Sequence, residues 1–221
     1  MIPLFRLNCA LMKSFNFGLL LSIILFASFG ANAQNNIYDV IVAGRTIGSL
    51  KVFDSESDTD TDTEIQRIES DFKILFYSGK FSTQASFVQG KLMTAVSAHE
   101  VNGDVKEKTH TKNVAKTSNY TVSFSGEDGE KKPSKEFNVP ILNTVTSLYY
   151  KEPVNITEVY SERYGQMCNV KKLADGNYSV TLPDGKQGVY SYKNGLCREV
   201  KTDLAGFKLR IVLNPAKNSL Y

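Results

Sequence analysis

Between residues 154 and 213 apolar and polar side chains alternate in six short runs, 154–160, 167–173, 178–182, 187–192, 196–200 and 207–213. Asp175-Gly176, Pro183-Asp184-Gly185 and Asn194-Gly195 separate several of them. A period of two sends successive side chains to opposite faces of an extended chain. Asn-Gly and Asp-Gly junctions supply the positive φ angles that tight antiparallel hairpins need. The last run is the clearest: Phe207, Leu209, Ile211 and Leu213 share one face, and Lys208 and Arg210 the other. Such a stretch folds as a β-meander. No long 3.6-residue apolar period occurs anywhere after residue 33, so a helical core is excluded.

The same pattern extends upstream. Residues 37–43 and 47–53 read as strands joined at Gly44-Arg45, and 91–101 and 104–111 as a hairpin closed by Asn102-Gly103. Further runs lie at 72–77, 81–88, 119–125 and 137–139, with Ser78-Gly79-Lys80 as the turn after the first of these. Residues 126–134 form a charged loop, and Asn143 caps a brief helical turn through Leu148, Tyr149 and Tyr150 that ends near Pro153. Roughly a dozen strands at this spacing predict an all-β fold. The expected form is a large twisted antiparallel sheet curling into an open or closed barrel, with at most one short helix; a β-sandwich is the alternative. An outer-membrane barrel fits less well, because lysines and glutamates fall on faces that would meet lipid.

Ahead of this domain, Lys13 precedes an apolar run over residues 15–29 that ends at Ala31-Asn32-Ala33. That is the pattern of a secretory signal peptide over residues 1–33, with Met12 as an alternative start. The run is shorter than a membrane span needs. Residues 34–221 are then one β-rich domain, exported, periplasmic or secreted, soluble, and not membrane-spanning once the signal is removed. The full chain carries 26 basic and 23 acidic residues. Losing Arg6 and Lys13 leaves 24 against 23, so the charge gives no support to nucleic-acid binding. Cys168 and Cys197 remain after cleavage; in an oxidising compartment they are a disulfide candidate, with two free core thiols as the alternative.

Motifs that carry chemistry are absent. There is no Gly-x-Ser-x-Gly elbow, His-Glu-x-x-His, Cys-x-x-Cys or dinucleotide fingerprint. No enzyme activity and no cofactor are expected. Glu152, Glu158 and Glu162 could supply paired carboxylates, His99 and His110 flank one hairpin, and a cysteine could be drawn beside His99, but none has a fixed third partner. In the acidic stretch 54–64, Asp58, Asp60 and Asp62 take the first, third and fifth positions of a calcium loop and Glu69 the twelfth. Thr63 stands where the loop wants glycine, so a solvated hairpin tip competes with calcium there. Tyr149, Tyr150, Tyr160, Tyr178, Tyr190 and Tyr192 form the densest aromatic cluster. Each has an apolar body and one polar tip, suited to lining a ligand cavity or simply to filling a core.

Several of these signals fall together. They are Tyr38, Gly44 and Ile47-Gly48, the stretch Ser147-Leu148-Tyr149-Tyr150-Lys151-Glu152-Pro153, Val159-Tyr160-Ser161-Glu162 with Gly165, and Tyr178 with Leu182-Pro183-Asp184-Gly185-Lys186 and Tyr190-Ser191-Tyr192-Lys193-Asn194-Gly195. In these the chain resembles a family of exported bacterial envelope proteins catalogued as a domain of unknown function. The resemblance covers residues 37–213 and implies a single β-rich domain and export. It brings no assigned activity. A looser likeness, of signal plus curved sheet, is to periplasmic lipoprotein carriers. Two function classes follow: a non-catalytic module holding an apolar or lipid-like ligand in the concavity of its sheet, or a structural protein with a filled core that docks an envelope protein. A hydrolase ranks third.

Overall fold

The structure is a computed structural model that describes residues 35–204 and 206–218; the expected signal segment lies outside them. Fifteen strands join in one antiparallel sheet. In chain order they are β1 (Asn36–Val42), β2 (Arg45–Val52), β3 (Glu56–Asp58), β4 (Thr63–Ile74), β5 (Tyr77–Val88), β6 (Lys91–Val101), β7 (Asp104–Asn113), β8 (Asn119–Ser125), β9 (Lys131–Asn138), β10 (Glu158–Ser161), β11 (Gln166–Lys172), β12 (Tyr178–Thr181), β13 (Gln187–Lys193), β14 (Leu196–Leu204) and β15 (Phe207–Leu213). Neighbours run β10 to β15, then β1, β2 and β4 to β9, with β3 paired only to β4. The first strand of the chain thus pairs with the last, Tyr38 opposite Leu213. The two edges, β9 and β10, adjoin each other in the sequence. One four-residue α-helix, α1 (Pro215–Asn218), follows β15.

The sheet curls until its edges meet through side chains. Phe137 of β9 stacks on Tyr160 of β10 at 5.6 Å between centroids. The Tyr160 hydroxyl meets Thr111 Oγ1 of β7 at 2.6 Å, and Arg163, just beyond β10, pairs with Glu107 of β7. No ladder joins β9 to β10, so the barrel is open. Alternate residues of β1, β2, β4 and β11 to β15 point inward to one core, and a smaller cluster joins β5, β6 and β8 to Tyr160.

Residues 139–157 link the edges, and their middle, Ile141 and Thr144 to Tyr149, is drawn into the interior as a strap. Ile141, fully buried, accepts the Leu92 N–H at 2.9 Å. Thr144 bridges to Tyr160 in parallel. A single 3₁₀ turn, Thr146–Tyr149, follows, with all four residues buried. Its start has no side-chain cap of its own; the Thr146 N–H donates to Glu162 Oε1 at 3.1 Å and the Ser147 N–H to Thr144 Oγ1 at 3.2 Å. Asn143, the expected cap, instead gives its carbonyl to the Tyr160 N–H.

The turns Asn102-Gly103 and Asn194-Gly195 form as expected, each with both residues at positive φ. The turn placed at Ser78-Gly79-Lys80 does not. Those residues lie within β5, and the chain reverses at Leu75-Phe76. Gly79 serves close packing instead: a Cβ there would sit 2.5 Å from the Phe72 ring. The loop expected over 126–134 is shorter than that, because Lys131 already begins β9; Pro133 is tolerated there on an edge strand.

Candidate functional site

The strap divides the barrel interior. On one side, with Val145, Thr146 and Tyr149 as its floor, lies a cavity of about 200 Å³. On the other, against Ser147, Leu148 and Tyr150, lies a more polar space of about 560 Å³ beside Glu64 and Gln66. Along β4 the division is plain: Ile68, Ser70 and Phe72 face the first, and Glu64 and Gln66 the second. The Ser147 hydroxyl donates to Gln66 Oε1 at 2.7 Å and pins the strap at the boundary.

The first cavity is the candidate site. Its wall comes from inward positions far apart in the chain, among them Val40, Leu50, Ile68, Phe72, Leu209 and Ile211. These strands were legible one by one. Their meeting around one space was not, because it follows from the β1–β15 pairing. Its mouth is polar. Tyr164 donates to Asp184 Oδ2 at 2.8 Å, Lys186 Nζ lies 2.6 Å from the same oxygen, and Arg163 reaches Glu107 at 2.7 and 2.9 Å. These partners hold the Asp184 carboxyl below its ordinary range against its partial burial. His99 is half-buried at the mouth; burial, and next the Arg163 charge, lower its pKa. Deeper in stands Glu162, 3 % exposed and the only buried acid among the described residues. Desolvation raises its pKa, and the hydrogen bonds from Thr144 and Thr146 only partly oppose that.

Of the six tyrosines expected to line a ligand site, the structure brings two to the cavity, Tyr149 and Tyr190, set edge to face at 6.1 Å. The other four are tied elsewhere. The Tyr192 hydroxyl donates to the Leu148 carbonyl at 2.8 Å, and Tyr178 to Glu152 Oε1 at 2.9 Å. Tyr150 accepts the Arg67 N–H at 2.8 Å and lies 2.7 Å from the Phe53 carbonyl; burial pushes its hydroxyl up to about 12. Tyr160 belongs to the second core. Glu162, His99 and Arg163 are the site residues that sequence reasoning did not select. The first two were visible only as members of the carboxylate and histidine sets.

Other candidates come apart. Glu158 is exposed on β10 and Glu152 is bound to Tyr178, so neither faces Glu162. His99 opposes Glu107, whereas His110 lies three residues farther along β7 on the outer face and is exposed. The calcium arrangement fails on distance. Asp58 caps its own turn, accepting from the Asp60 N–H and the Thr61 hydroxyl. Glu69 stands six residues beyond Thr63 in the straight strand β4, about 20 Å away. Among the described residues no three His, Cys, Asp or Glu side chains are grouped to hold a metal. The disulfide is not formed. Cys168 and Cys197 are free and buried, on β11 and β14 with two strands between them in the sheet. Strands three places apart lie about 14 Å apart, well beyond disulfide reach. Burial pushes the thiols up to about 11 and about 12 respectively.

A single curled sheet that closes through side chains around an apolar chamber defines a class of barrel-like proteins. Residues 38–214 match the family described as Domain of unknown function (DUF6134), and the chain belongs to that family. Among solved structures it is similar to the beta-barrel-like protein of Domain of Unknown Function DUF1849 from Brucella abortus. The TM-score is 0.54 and the identity 11 %, over 82 % of this chain and 95 % of that one. At that identity the likeness speaks for the fold alone. No curated protein is similar to the chain in sequence.

Proposed function

We propose that the chain is an exported, non-catalytic module that binds an apolar, lipid-like ligand in the concave face of its sheet. The observation that carries this reading is the cavity of about 200 Å³ walled by Val40, Leu50, Ile68 and Leu209 and left unfilled by the strap. An apolar cavity of about 150 Å³ is enough to admit benzene, whereas sites for drug-sized molecules run from about 300 Å³ upward. The fitting guest is therefore one ring or one short acyl segment, with its polar end at the mouth among Arg163, Asp184 and Lys186. The signal pattern of residues 1–33 supports export. A single buried acid without a second carboxyl facing it falls short of the pair that glycoside hydrolysis uses.

The test is calorimetric titration of the purified protein with straight-chain alcohols of increasing length, beside Ile68→Phe and Leu209→Phe variants that fill the cavity. Binding should strengthen with chain length to a limit and weaken about tenfold in a filled variant that keeps its thermal midpoint. Absence of binding across the series, or binding in both filled variants as tight as in the parent, would sink the reading.

A further inference from the structure

The cavity wall holds three polar groups that the fold does not use up. Six tyrosines are buried among the described residues. Four of them tie their hydroxyls to the protein. Tyr38 donates to the Cys197 carbonyl, Tyr120 to the Leu92 carbonyl and Tyr178 to Glu152, and Tyr160 meets Thr111. Tyr149 and Tyr190, the two that line the cavity, make no such bond among the described residues. Neither hydroxyl is sealed in, since the one sealed side-chain atom without a partner there is Asn113 Oδ1. Both therefore border open space, and the cavity is the space they line. The Tyr190 ring leans toward the mouth: a Cβ on Gly188 would sit 3.0 Å from the ring and 3.5 Å from its hydroxyl. That hydroxyl thus ends just inside the Lys186–Asp184 pair.

Glu162 is the third group, placed directly after β10. Its hydrogen bonds come from the strap, from the Thr146 N–H at 3.1 Å and from Thr144. A carboxylate accepts about four, so capacity is left over. Buried charges ordinarily have a partner of opposite sign. Among the described residues no cation is paired with Glu162, because Arg163 lies on Glu107 and Lys186 on Asp184. Other titratable groups nearby supply none. Tyr160, Cys168 and Tyr190, which feel its charge, are neutral acids pushed up first by burial. His99 is held toward its neutral form, by burial and then by Arg163. The cavity wall as a whole sets Glu162, Asp184 and Asp203 against Arg163 and Lys186, so its surplus is acidic.

We propose that the guest is an apolar amine, its ammonium seated just inside the mouth between the Glu162 carboxylate and the Tyr190 hydroxyl and its hydrocarbon running into the chamber. An alkylammonium keeps its proton at neutral pH, as lysine does. Carboxylate and hydroxyl both accept its N–H groups, and the aromatic lining of Phe72, Phe81 and Tyr149 suits a cation. The bound cation is the partner that Glu162 lacks. The inference rests on the cavity reading and names the polar group of its guest.

The experiment is calorimetric titration of the purified protein at pH 7 with hexylamine, hexanol and hexanoate, which share one chain and differ at its end. The parent should bind hexylamine about tenfold tighter than hexanol, and hexanoate most weakly. In Glu162→Gln the advantage of the amine over the alcohol should vanish. In Tyr190→Phe, which removes a hydroxyl without a protein partner, it should shrink about threefold. The ratio is taken within each variant, so any loss of folded protein cancels. Hexylamine no tighter than hexanol, hexanoate tightest, or an advantage intact in either variant overturns the inference and leaves the cavity reading standing. Binding of none of the three overturns both.

Discussion

Glu162 is a carboxyl that the fold prefers neutral. Its folded pKa lies above the ordinary 4.5, chiefly through desolvation. The unfolded chain, with no such burden, ionises first as pH rises. Its contribution to stability is therefore complete below the unfolded pKa and is lost as pH climbs through the folded one. Glu162→Gln cannot ionise but can still accept the Thr146 N–H. Thermal midpoints measured from pH 4 to pH 8 should fall less steeply in the variant than in the parent, so that the variant gains relative stability toward neutral pH. Parallel curves would show that the carboxyl is not desolvated as described. At this scale the sequence was least informative: Glu152, Glu158 and Glu162 look alike as letters. Only Glu162 follows an inward-facing edge strand directly beneath the strap.

The strap is the element on which the interior depends, yet in the sequence it reads as little more than a helical turn before Pro153. Its ties come from the sheet: Tyr192 to the Leu148 carbonyl, Gln66 to Ser147, Glu162 to the Thr146 N–H. Tyr192→Phe leaves the buried Leu148 carbonyl without its donor, a cost of about 1–2 kcal/mol. Hydrogen exchange should show the amides of residues 146–150 losing protection while β4 and β5 keep theirs. Loss spread evenly over the sheet would mean that strap and barrel open as one unit. The strands themselves were legible because alternation and turn chemistry are local. β15 was read residue for residue, and Asn102-Gly103 closed the hairpin it announced. The errors have a common source. Glycine at position 79 suits a turn as well as a place where a ring presses on the backbone, and the second need arises only when Phe72 sits opposite. Likewise the tyrosine cluster is real, but which hydroxyls anchor the strap depends on partners 26 to 97 residues away.

For the whole molecule, Cys168 and Cys197 are natural reporters. Both lie in the main core, and a thiol must become a thiolate and be reached before it reacts. Neither condition holds while the sheet is curled. An exposed-thiol reagent should therefore modify them only at the rate of global opening. Peptide mapping should find both labelled in urea and neither in native protein. Prompt native labelling would reveal local opening between β11 and β14, and resistance in urea would reveal a bond. The barrel shape drew on a broader inference from strand number, and the open seam could not be read at all, because β9 and β10 differ from inner strands only in what fails to pair with them. The order of the sheet also bears on synthesis. β1 is the first described strand to be made, and its partner β15 emerges about 170 residues later, each pair such as Val40 and Ile211 waiting on the end of translation. Until then β1 offers one open row of amides and carbonyls to any neighbouring chain. A nascent copy is thus most exposed to mispairing at its beginning, and a holding chaperone would be most useful there.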